Sequence, residues 1–225
     1  MSQSNMQLVS QLIRKFMASS TDTTPFKLQG GLASLPQNEV SQVLAAAYSS
    51  KIKSRGICSE LDEETLAHID KGAKWLVKRE CPGLILYGLC GTGKTTMVKA
   101  LEELLKIGRN SDDVVRQTSS QLVEYFRDDD QRGKFYMSAN VQVLIIDDLG
   151  CEPERLLLFG TCYEPIKDIL YRRYERMRIT ILTTNLGNEE LRTRYGTRVE
   201  DRLKETYDTI VFAGGSYRRR NTGPR

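Results

Sequence analysis

The chain has 225 residues, 40% hydrophobic and 28% charged, which allows a packed core and excludes wholesale disorder. Its net charge of +4 equals the four arginines of residues 214–225, so the remainder is neutral overall and any polyanion would be met by local patches rather than a molecular field. No apolar run approaches the ~20 residues that span a bilayer, the opening Met1-Ser-Gln-Ser-Asn5 lacks the features of a secretory signal, and five scattered cysteines with one histidine (His68) make no zinc pattern; the expectation is a cytoplasmic protein with reduced thiols and no membrane contact.

From Met6 to Met17 apolar residues recur at helical spacing, at 6, 8, 9, 12, 13, 16 and 17. Residues 19–36, rich in Ser, Thr and Gly with two prolines, read as a linker. A second helix is expected from Gln37 to Lys53, with Val40, Val43, Leu44, Ala47 and Tyr48 on one side and Gly56 as its stop. A third opens at Asp62, a good N-cap, and carries Leu66, Ile69, Ala73 and Leu76. This gives a helical N-terminal region over residues 1–75, a candidate partner surface, ahead of a catalytic domain over 76–225.

Beyond residue 80 the rhythm changes to strands alternating with helices. Strands are expected at 83–87, 114–117, 141–146, 179–183 and 209–212, and helices at 94–107, 120–127, 164–177 and 197–205. The nearly continuous apolar run Val141–Ile146 suits a strand covered on both faces. The alternation predicts an α/β fold with a parallel sheet.

Gly88-Leu-Cys-Gly-Thr-Gly-Lys-Thr95 fits G-x-x-x-x-G-K-[ST] at every fixed position and lies between an expected strand and an expected helix. Glycines let such a loop curl its N–H groups toward phosphate oxygens, and the helix start adds its positive dipole end. The chemistry is that of a P-loop NTPase binding ATP with Mg²⁺. Gly88, Cys90, Gly91, Thr92, Gly93, Lys94, Thr95 and Thr96 are the candidate nucleotide contacts, Lys94 reaching the β- and γ-phosphates and the Thr95 hydroxyl holding the metal.

About fifty residues on, Val143-Leu-Ile-Ile-Asp-Asp148 ends a buried strand on two carboxylates and reads as a Walker B element. Asp147 would hold Mg²⁺ directly or through water, and Asp148 would orient and deprotonate the attacking water. Thr183-Thr-Asn185 closes the next strand, and Asn185 is the candidate sensor of the γ-phosphate or lytic water. Arg198 and Arg202, four apart and so on one helix face, serve either as salt-bridge partners of Glu200, Asp201 or Glu205 or as an arginine finger into a neighbouring subunit.

Taken together, Gly88–Thr95, Ile145-Ile-Asp-Asp-Leu-Gly150, Tyr171-Arg-Arg-Tyr174, Ile179–Asn185, Tyr195-Gly-x-Arg198-x-x-x-Arg202-Leu and Ser216-Tyr-Arg218 resemble the DnaC/IstB-like AAA+ ATPases, the bacterial helicase loaders and insertion-sequence helper ATPases. The resemblance covers residues 80–220. It implies an αβα core assembling as a homo-oligomer with ATP at subunit boundaries, the trans arginine at Arg202 or Arg198, and a second sensor at Arg218. It further implies binding of single-stranded DNA and of a replicative helicase, with a transposase as the alternative partner. The second acidic position is Asp148 where the wider AAA+ pattern has glutamate, and the shorter arm implies slow hydrolysis.

Overall fold

The computed structural model describes residues 3–17, 35–56, 60–78, 80–107, 109 and 111–215. The chain divides into two units, residues 1–80 with 95–110, and residues 81–94 with 111–225.

The first unit is helical. α1 (Gln3–Met17), α2 (Gln37–Lys53), α3 (Glu63–Lys78) and α4 (Lys94–Lys106, entering this unit at its second residue) lie where helices were expected. Val40, Val43, Leu44, Ala47 and Tyr48 of α2 are all buried, facing α1 and α3. The Asp62 carboxylate caps α3 by accepting from Thr65 N at 2.9 Å. Leu66, expected on the inner side of α3, is instead exposed; the inner stripe runs through His68, Ile69, Ala73, Trp75 and Leu76. Lys51 pairs with Glu103, and Arg55 Nη1 donates to Thr96 Oγ1 at 3.3 Å.

The second unit is built on a five-stranded sheet in the order β2-β3-β6-β1-β7, every pairing parallel. The strands are β1 (Gly83–Gly88), β2 (Val114–Thr118), β3 (Val143–Leu149), β6 (Ile179–Thr184) and β7 (Tyr207–Phe212). Strands of one direction bring their C-terminal ends to one edge, where ligands of open α/β sheets bind. α5 (Ser119–Arg127), α6 (Arg132–Asn140), α7 (Pro165–Glu175), α8 (Asn188–Tyr195) and α9 (Thr197–Thr206) complete this unit with a two-stranded antiparallel hairpin of β4 (Leu156–Leu158) and β5 (Thr161–Tyr163). Leu144 and Ile146 share a buried cluster with Leu122 and Val123 of α5, Ile169 of α7, and Val199 and Leu203 of α9.

Several elements depart from the expectation. The third strand starts at Val143 rather than Val141 because residues 132–140 form α6, whose chain leaves the helix at Val141. α8 and the hairpin also lie where no element was expected.

Arg173 of α7 organises one end of this unit. It is 1% exposed, and its guanidinium donates to Thr180 Oγ1 (2.8 Å) and to the carbonyls of Ala139 (3.1 Å), Val141 (3.0 Å) and Ile179 (2.6 Å). Burial lowers its pKa to about 10, and these acceptors keep it charged near neutral pH.

Candidate nucleotide site

β1 ends at Gly88, and the loop that follows turns through Gly91 and Gly93. These three glycines have φ of 147°, 86° and 105°, a region that side chains disfavour, so the curl depends on their lacking a Cβ. Thr92, buried, closes the turn by donating from Oγ1 to Leu89 O at 2.9 Å, while Cys90 is exposed. Lys94 opens α4 and is 5% exposed. Its ammonium donates to Gly88 O (2.6 Å), Leu89 O (2.9 Å) and Asn185 Oδ1 (2.7 Å). β6 lies beside β1 with Tyr87 opposite Thr184, which places Asn185 one residue beyond the strand end and next to the loop. Of the remaining loop candidates, Thr95 is half-buried and Thr96 is buried.

The acidic pair lies one strand further along. Asp147 is buried; its Oδ1 accepts from Thr183 Oγ1, and its Oδ2 is 3.8 Å from Arg116 Nη1 on β2. Asp148 adopts a left-handed backbone, φ 56°, within a register shift between β3 and β6. Its N–H donates to Thr183 Oγ1 (2.9 Å), and its carbonyl accepts from the fully buried Ser119 hydroxyl (2.7 Å).

The loop beyond is clamped. At Gly150, φ 100°, a Cβ would lie 2.5 Å from Leu186 Cδ1. Gly150 N–H donates to Glu152 Oε2 at 2.9 Å, and Glu152 Oε1 accepts from the Tyr195 hydroxyl with Arg194 Nη2 3.5 Å away. Burial, with the Glu152 carboxylate beside it, pushes the Tyr195 phenol well above its ordinary value.

Arg198 and Arg202 share a face of α9, as their spacing predicts, but neither forms the expected salt bridge among the described residues. Glu200 pairs with Lys204 (2.6 Å) and Arg192 (3.7 Å), and Glu205 accepts from the Tyr174 hydroxyl (2.7 Å). Arg202 lies over the rings of Tyr171 and Tyr174, 4.5 Å from each centroid; Arg198, exposed, is 5.8 Å from the Tyr171 ring. Arg218 lies outside the described residues.

The donor set suits a magnesium nucleotide. A buried ammonium sits at a loop with the required glycine geometry, and two carboxylates end the strand beyond β6. Among the described residues no group of three or more His, Cys, Asp or Glu is arranged to hold a metal ion. Mg²⁺ fits such a sparse site, because it commonly takes one or two protein oxygens and completes its shell with water and substrate phosphate.

The structure brings the expected Lys94 and Asn185 together and places the expected Asp147 and Asp148 on the strand beside β6; Ser119, Thr183 and Glu152, which bond to that strand end and its loop, were not expected from the sequence. The Thr183-Thr-Asn185 run carried a signal for Thr183 that went to Asn185 alone.

A family model described as IstB-like ATP binding protein matches residues 55–223. The replicative helicase loader DnaC of Escherichia coli is 32% identical over 146 residues, covering 62% of this chain and 57% of that protein; DnaC of Shigella flexneri matches equally. The match thus spans little more than half the length of these curated relatives. Two solved structures share the fold: DnaI, with a TM-score of 0.54 and 21% identity over 68% of this chain and 87% of that one, and a DnaC helicase loader, with 0.51 and 22% over 68% and 93%.

Proposed function

Because this chain belongs to the family of IstB-like ATP-binding proteins, we propose that it binds ATP with Mg²⁺ on the loop 88–95, hydrolyses it slowly, and acts as a helicase loader in DNA replication. The observation that carries this reading is the Lys94–Asn185 hydrogen bond of 2.7 Å. It sets the motif's cation and the candidate sensor amide side by side at the C-terminal edge of the sheet.

In this reading the loop N–H groups and Lys94 hold the triphosphate, Lys94 exchanging its carbonyl partners for β- and γ-phosphate oxygens. Asp147 and the Thr95 hydroxyl would hold Mg²⁺, which neutralises charge on the phosphates when bound. Asp148 orients the attacking water and takes its proton, and Asn185 holds that water or a γ-phosphate oxygen. The water oxygen bonds to the γ-phosphorus as the bond to the ADP oxygen breaks. Arg198 or Arg202 of an adjacent copy neutralises charge in the transition state, so full turnover requires a homo-oligomer formed on ATP or DNA binding.

Nucleotide governs the grip on a partner helicase and on single-stranded DNA. The test is affinity capture with the full chain as bait in ATP and in ADP, beside single-strand binding across a salt series. A replicative helicase retained in ATP and released in ADP supports the loader reading; a transposase on the same bait would assign the alternative. Absence of ATP-dependent DNA binding at low salt would overturn the DNA component.

A further inference from the structure

We propose that Ser119 and Thr183 are positioning residues that hold Asp148 in its left-handed backbone conformation and thereby aim its carboxylate; the inference rests on the reading of Asp148 as the water-orienting group. In a regular strand consecutive side chains point to opposite faces, so Asp147 and Asp148 could not serve one substrate from an undisturbed β3. The strand is disturbed at that point. Ile146 pairs with Leu182 and Leu149 with Thr184, so three steps along β3 match two along β6. The extra residue makes a bulge, a device that re-aims a side chain. Asp148 absorbs it at φ 56°, a conformation that aspartate tolerates better than most residues with a Cβ but that still gains from local support.

That support includes two hydroxyls, one from each neighbouring strand or its end, beside the Cys151 N–H, which donates to the Asp148 carbonyl at 3.1 Å. Thr183 Oγ1 on β6 accepts the Asp148 N–H at 2.9 Å and spends its own hydrogen on Asp147 Oδ1. Ser119 Oγ, at the junction of β2 and α5, donates to the Asp148 carbonyl at 2.7 Å and is wholly buried. Both peptide groups flanking the Asp148 α-carbon are therefore pinned, which sets φ and ψ together. Thr183 also ties the carboxylate assigned to the metal to the backbone of the residue assigned to the water. A valine has the shape of threonine but neither bond, and a serine keeps both.

The experiment measures steady-state ATP turnover and, separately, Mg-ATP affinity on the full chain. The variants are Ser119→Ala, Thr183→Val and Thr183→Ser, each alone and combined with Asp148→Asn. Ser119→Ala and Thr183→Val should each lower kcat by on the order of 10- to 100-fold, as expected for a misaimed group. Ser119→Ala should leave KM and affinity within about twofold, Thr183→Val should in addition raise the Mg²⁺ requirement, and Thr183→Ser should recover most of the rate. In the Asp148→Asn background, at saturating Mg²⁺, neither loss of kcat should recur, because the group being aimed is already gone. Wild-type kcat in Ser119→Ala and Thr183→Val beside a crippled Asp148→Asn would overturn this inference alone, as would losses that persist undiminished in that background. Full turnover by Asp148→Asn would remove the underlying reading and this inference with it.

Discussion

The hydroxyl of Tyr195, the last residue of α8, donates to the buried carboxylate of Glu152, four residues past Asp148. Through the second oxygen of the same carboxylate the bond continues to Gly150 N–H at 2.9 Å. The loop leaving the acidic pair is thereby joined to the corner from which α9, with Arg198 and Arg202, departs.

Removing the phenol should leave a buried carboxylate oxygen short of a donor. Tyr195→Phe is expected to lower unfolding stability by about 2 kcal/mol, in the range for a hydrogen bond to a charged group. Chemical denaturation at neutral pH checks it, and a loss within experimental error would remove the tie.

The same bond gives a pH dependence. The folded chain holds the Tyr195 proton more tightly than the unfolded chain, because burial and Glu152 raise its pKa. The resulting stability is complete below the unfolded value of about 10 and is lost as pH rises from there through the higher folded value. Tyr195→Phe cannot lose it, so the difference in melting temperature between the two proteins should narrow as pH climbs past 10. A difference that stays constant or widens would contradict the assignment.

Arg173 has no carboxylate partner among the described residues and instead ties two backbone segments, 139–141 and the start of β6, to α7 through their carbonyls. Arg173→Met is expected to destabilise by about 3 kcal/mol or more, since those buried acceptors would lose their donors. Arg173→Lys, without the planar fork, should recover only part of this. Full stability in the methionine variant would show that water replaces the guanidinium.

The two α9 arginines should separate in stability and rate. Arg202, with a ring 4.5 Å away on each of two tyrosines, contributes cation–π attraction inside its own subunit. Arg202→Ala is expected to lower unfolding stability by about 1 kcal/mol, and the exposed Arg198→Ala to leave it unchanged. Whichever acts in trans should suppress turnover of the assembled protein by on the order of 10³-fold without weakening ATP binding. Mixing that variant with Asp148→Asn subunits should then restore activity, and failure under every assembly condition would argue against a trans arginine.

Lys94→Ala should weaken Mg-ATP binding by on the order of 100-fold, or about 2.7 kcal/mol, read by calorimetry. Unchanged affinity would place the nucleotide elsewhere.

What the sequence disclosed follows from what is local in it. α2 declares itself by its stripe, β3 by four consecutive apolar residues, and the loop by glycines at motif spacing. α6 buries only Phe135, Ser138 and Ala139, and α8 only Leu191 and Tyr195, too few to mark a periodicity. Ser119 and Thr183 act on Asp148 across 29 and 35 residues of chain. Their role depends on β2 and β6 flanking β3, a fact of topology that no local pattern contains.

The ammonium of Lys94 already satisfies two main-chain oxygens and an amide oxygen. An arriving anion therefore gains only the surplus of its own attraction over theirs. In the proposed site a triphosphate, with many charged oxygens to offer along the loop, would win that competition where a single free phosphate has much less to set against it. On the proposed reading, once the nucleotide leaves, the same three oxygens would take the lysine back, so the chain would carry its own means of resetting the clasp.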